Sequence, residues 1–135
     1  FNSPWGTRKT CSVKCKEERR GNLSGRYVLV SKDIPAGTVG VMSEYIVITF
    51  LLRNGYAVFH AASPACFCDL VAIKNKQTFY IEVRTGYKSF EGKMTFPVAG
   101  RENQGSPNVF AVVERNTFEV FFFDINDRKK EIQMP

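Results

Sequence analysis

The chain has 135 residues, 44% of them apolar, with 19 basic and 13 acidic side chains, one histidine and a formal net charge of +6. That length supports one core and excludes two ordinary domains. No apolar run reads as long enough to span a bilayer and no signal-peptide pattern opens the chain, so a soluble, cytoplasmic protein with no membrane partner is expected. The start at Phe1, without methionine, reads as a piece of a longer polypeptide. No Gly-rich phosphate loop, Ser-His-Asp arrangement or internal repeat is visible, which counts against an NTPase or a serine hydrolase.

Residues 1–37 form a basic arm and linker. Residues 1–40 carry eight basic and three acidic side chains, which is +5 of the overall +6. Arg8, Lys9, Lys14, Lys16, Arg19 and Arg20 on an almost neutral core suit DNA, since phosphate contacts supply affinity that does not depend on sequence. A solvated tail that aids solubility is the other reading. Cys11 and Cys15 have metal-ligand spacing, and Thr10-Cys11-Ser12-x-x-Cys15 resembles the second half of a treble-clef zinc knuckle. Tetrahedral Zn²⁺ needs four ligands, so this resemblance implies a further pair upstream. Cys66 and Cys68 are the alternative completing pair, or else small buried hydrophobes. A cytoplasmic setting keeps all four thiols reduced. Beyond a flexible break at Gly21–Gly25, Arg26–Ser31 reads as a strand.

Residues 38–135 form the second unit. Thr38–Gly55 is too long for an ordinary strand, and Leu51-Leu52-Arg53-Asn54-Gly55 ends like a helix with a glycine cap. As a helix it lines up Val41, Tyr45, Ile48 and Leu52 as its apolar stripe, with Val47 and Leu51 beside it and Glu44 in the early turns. Tyr56–Ala61 is a strand ending near His60, which reads as a structural or surface group before a general base. Cys68–Ile73 and Phe79–Thr85 are two more strands, joined into a hairpin by the polar Lys74-Asn75-Lys76-Gln77. The hairpin sets Asp69 against Glu82 at roughly the 5 Å of cross-strand neighbours. A carboxylate inside so apolar a strand must be paired, neutralised or given a cation. A divalent-metal pair and an acid paired with Arg84 on a solvated face both satisfy that demand.

The ordered series resembles the PD-(D/E)xK nuclease superfamily, nearest to group I intron-associated endonuclease-like domains and Holliday-junction resolvases. It runs from a helix Glu through Gly-Tyr-x-Val-Phe, Ser-Pro and Asp-Leu-Val-Ala to Glu-x-Arg-Thr-Gly. The likeness spans Thr38 to Phe123. It implies phosphodiester hydrolysis, with Glu44, Asp69 and Glu82 at one Mg²⁺ or Mn²⁺, the Val83 carbonyl as a fourth oxygen, and Arg84 at the family's lysine position. Arg84, with Lys88 or Lys93, would hold phosphate oxygens. The chain departs from the pattern in two places. Cys66-Phe67-Cys68 precedes Asp69, and arginine replaces lysine, which trades a tunable point charge for a permanently protonated fork.

Gly86 to Pro107 reads as a long loop whose Tyr87, Phe90 and Phe96, with Lys88, Lys93 and Arg101, offer aromatic faces and cations to a nucleic-acid strand. The same aromatics can instead tuck under the sheet. Asn108–Val113 and Thr117–Phe123 are strands, the second apolar enough for burial on both sides or a subunit contact. The charged Asp124–Ile132 reads as a short helix. The expected fold is α/β, with one N-terminal helix on a mixed, mostly antiparallel sheet. The expected function is a metal-dependent DNA endonuclease, acting as a homo-dimer or homo-tetramer because cutting two strands takes two sites. A DNA-binding module that has lost turnover is the alternative, and an oligomerisation domain is a third.

Overall fold

The structure, a computed structural model, describes residues 33–98 and 107–135. Among these, one helix, α1 (Ala36–Arg53), precedes strands β1 (Ala57–His60), β2 (Leu70–Lys74), β3 (Gln77–Lys88), β4 (Met94–Thr95), β5 (Val109–Glu114), β6 (Val120–Asp124) and β7 (Glu131–Ile132). The sheet runs β1-β2-β3-β5-β6-β7, with β4 paired to β3. Among the described strands only β3 and β5 are parallel, and the other pairings are antiparallel. The expected α/β architecture of one helix on a mixed, mostly antiparallel sheet is therefore present.

Local chemistry explains the element boundaries. The β2–β3 hairpin turns on Asn75 and Lys76, both with positive φ, the backbone of a two-residue turn whose twist matches the strands. The helix ends where the Asn54 N–H bonds back to the Phe50 and Leu51 carbonyls and Gly55 takes a φ of 81°, a left-handed position that glycine occupies without a Cβ penalty.

The apolar stripe of α1 is not the expected one. Val39, Ser43, Val47 and Leu51 are the buried positions, whereas Val41, Tyr45 and Leu52 are 48%, 58% and 56% exposed. An 18-residue helix this rich in apolar residues offers two candidate faces, and the sheet selected the one carrying Val47 and Leu51. By length and composition alone α1 could cross a membrane, so the expectation that no run is long enough does not hold for it. Here its buried face packs on the sheet: Val47 and Leu51 join Leu70, Ile81, Val83, Ala111 and Val113 in the main core.

The opposite face of the sheet has a smaller core of Phe110, Val112 and Phe123, covered by Met94, Phe96 and Val98. Two further expectations change here. The stretch after Thr85 carries strands where a loop was expected: β3 continues to Lys88, and Ser89 to Lys93 close a hairpin onto β4. Of its aromatics, Phe96 tucks against Phe110 and Phe123, while Tyr87 and Phe90 stay exposed. The C-terminal segment is a strand hairpin instead of a helix. The Asp124 carboxylate accepts the Asn126 and Asp127 N–H groups and turns the chain into β7, an Asx turn competing with helix formation. The strand buried along its whole length is β5, central and parallel to β3, more than β6.

Candidate active site

Strand β3 outruns its neighbour. β2 pairs with it only as far as Ile81 and β4 begins only at Tyr87, so residues 82–86 have ladder partners on β5 alone among the described strands. A cavity of about 720 Å³ opens there, and Glu44, Asp69, Glu82, Val83 and Arg84 all line it. The predicted constellation is thus brought to one place by three elements: α1 supplies Glu44, the chain entering β2 supplies Asp69, and β3 supplies the rest. The hydroxyls of Ser43 and Thr85 share a 2.6 Å hydrogen bond that fixes α1 to β3 beside the cavity.

Each acid is held. The Asp69 N–H donates to the Ile81 carbonyl, and its Oδ2 accepts the Val83 N–H at 2.8 Å, so Asp69 clasps the residues on either side of Glu82. Glu82 is 2% exposed, and its Oε1 lies 2.6 Å from Arg84 Nη1. The same nitrogen donates to the Val83 carbonyl at 3.1 Å. Glu44 Oε2 lies 2.6 Å from His60 Nε2. Among the described residues no group of three His, Cys, Asp or Glu side chains is gathered tightly enough to hold a metal ion. The three acids share a cavity, then, without converging on one point.

The fold has a known counterpart. It is similar to the solved structure of a bacterial homing endonuclease, I-Ssp6803I, with a TM-score of 0.58 and 16% identity, over 68% of this chain and 67% of that one. The likeness is one of fold. No family model matches the chain, and no curated protein does.

The other predicted residues divide. Tyr87 lines the cavity. Lys88 turns away to the Phe121 ring and Glu119, and Lys93 is exposed at the β3–β4 hairpin. Arg8, Lys9, Cys11, Lys14, Cys15, Lys16, Arg19, Arg20 and Arg101 lie outside the described residues. Burial pushes the Cys68 thiol up, and the charges of Asp69, Cys66 and Glu82 push it the same way against one hydrogen bond to the Ile81 backbone. Such a thiol stays protonated and inert, which fits the reading of Cys68 as a small buried hydrophobe.

Two features at or beside the cavity escaped the sequence. Sixteen residues separate His60 from Glu44, and nothing in their spacing couples them. Arg115 follows the last residue of β5 and lines the cavity with Arg84. It was readable only as part of a turn, because the parallel β3–β5 pairing that brings it there has no local signal. A second groove of about 750 Å³ runs along Tyr45, Thr49, Phe50 and Phe121 but contains no pair of acids.

Proposed function

We propose that this chain is a metal-dependent DNA endonuclease of the PD-(D/E)xK type, hydrolysing phosphodiester bonds. The observation that carries the reading is that Glu44, Asp69, Glu82 and Arg84, ordered along the chain as in that superfamily, line one cavity at the open edge of β3. The similarity of the fold to a homing endonuclease supports it.

The acids lining the cavity, with backbone carbonyls, are oxygen donors that suit Mg²⁺ or Mn²⁺. Mg²⁺ is often bound through one or two carboxylates, with waters and substrate phosphate completing the shell. Asp69, Glu82 and the Val83 carbonyl would hold it, with Glu44 as the third acid of the same cavity. When bound, the ion supplies a low-pKa water and neutralises charge on the scissile phosphate. The chain's own share is orientation. The Val83 N–H sets the Asp69 carboxylate, His60 sets Glu44, and Arg84 balances the charge on Glu82. Arg84 is a poor proton carrier, because its guanidinium stays protonated.

DNA is the proposed partner, met by the basic arm and by Tyr87 and Phe90. A homo-dimer or homo-tetramer would present the two sites that a double-strand cut needs. Zn²⁺ at Cys11 and Cys15 belongs to the same proposal, as does a cytoplasmic location.

One observation favours a second reading, a DNA-binding module without turnover. Arg84 lies across Glu82 Oε1 and the Val83 carbonyl, two oxygens a metal would use. Purified protein incubated with supercoiled and branched DNA and Mg²⁺ or Mn²⁺, beside Asp69→Ala and Arg84→Lys, separates the two. Metal-dependent nicking that disappears in Asp69→Ala supports the enzyme. Tight, salt-sensitive binding with no cutting by the native chain or by Arg84→Lys supports the module.

A further inference from the structure

We infer that Arg115 is the residue that grips the nucleic-acid phosphate in this cavity, in place of the arginine at the motif's lysine position. The inference rests on the cavity being a phosphodiester site. Among the described residues lining it, two carry a permanent positive charge, Arg84 and Arg115. Their situations differ. Arg84 Nη1 is committed to Glu82 Oε1 at 2.6 Å and to the Val83 carbonyl at 3.1 Å. Recruiting Arg84 to a phosphate would strip the counter-charge from Glu82, which is 2% exposed, and an uncompensated buried carboxylate is costly.

Arg115 is exposed and makes no ion pair with any described residue. Its backbone is nevertheless fixed. The Arg115 N–H donates to the Gly86 carbonyl at 2.9 Å, and the buried Glu114 carboxylate accepts the Asn116 and Thr117 N–H groups at 2.9 and 2.7 Å. A free guanidinium on an anchored turn suits phosphate well: it offers a planar fork of donors and loses little backbone freedom on binding. A cation here also suits the charge of the cavity, because Glu44, Asp69 and Glu82 repel an incoming phosphate and Arg84 is paired with Glu82.

The test is DNA affinity measured in EDTA across a salt series, for the native chain, Arg115→Ala and Arg115→Lys, on one duplex and one branched oligonucleotide. Metal-free binding separates the phosphate grip from turnover. Arg115→Ala is expected to weaken binding several-fold and to reduce the slope of log affinity against log salt by about one, with Arg115→Lys recovering most of the slope. Thermal melts of the two variants should match the native chain, because the side chain is exposed. Native affinity and slope in Arg115→Ala overturn the inference and leave the nuclease reading standing. A native chain that binds neither DNA in EDTA overturns the inference, and absence of metal-dependent cleavage as well overturns the nuclease reading.

Discussion

Glu82 and Glu114 make an instructive pair. They lie on the adjacent parallel strands β3 and β5, 2% and 1% exposed. Their surroundings differ in kind. Glu114 closes a turn: burial alone would push its carboxyl up, but hydrogen bonds from the Thr117 hydroxyl and N–H and the backbone of Asn116 and Lys88 outweigh it, and the group sits below the usual carboxylate range. Glu82 has an arginine and a cavity, with a second carboxylate, Asp69, clasping the residues beside it. A buried acid served by nearby backbone amides is part of the scaffold. One that faces a cavity with a cation and a second acid is the candidate for chemistry.

The sharpest way to break this contrast is Glu82→Gln. Under the nuclease reading, cleavage falls about a hundredfold or more, the scale of losing a preorganised charge at a reacting centre, while DNA affinity without metal is kept or raised, since a repelling charge is gone and Arg84 is released. A gel-based nicking assay beside a binding titration reads both. Next in size, Leu51→Ala calibrates the scaffold. Leu51 is 0% exposed, and its truncation should cost ~2–5 kcal/mol in denaturant unfolding. Leu52→Ala, one residue on and 56% exposed, should stay within about 0.5 kcal/mol.

Glu114→Gln should lower stability by ~1–3 kcal/mol by weakening charge-assisted bonds to the turn, and it should leave metal-dependent cleavage intact at temperatures where the protein is folded. Its pH signature follows from the sign of the shift. The folded carboxyl titrates below the unfolded value of about 4.3, so its stabilisation is present above that pH and is lost as pH falls through the folded value. Acid unfolding of Glu114→Gln should therefore depend less steeply on pH below about 4 than that of the native chain. An unchanged acid limb would remove Glu114 from the scaffold account.

Much of this arrangement was legible in the residues. Alternating or continuous apolar runs located the strands, Asn75-Lys76 located the hairpin, and an acid embedded in each of two neighbouring runs located the cavity. The helix was legible as a helix, but its buried face was not. Val41 and Leu52 are as apolar as Val39, Val47 and Leu51, and Tyr45 presents a largely apolar ring, so packing against the sheet chooses between the two faces. The Asp124 turn was missed because a run of charged residues suits a helix until a side chain captures the backbone amides. Arg115 and the His60–Glu44 pair were invisible for a different reason, since both depend on long-range pairings. Glu114 looked like a turn residue, and nothing in Val113-Glu114-Arg115 set its burial apart from that of Ile81-Glu82-Val83.

The most direct test is a calorimetric titration of Mg²⁺ into the native chain, Glu82→Gln and Glu114→Gln at one pH and temperature. The account predicts saturable binding to the native chain and to Glu114→Gln, and affinity at least about tenfold weaker, a loss of about 1.4 kcal/mol, in Glu82→Gln. Equal affinity in all three proteins would contradict a metal site at the open edge of β3.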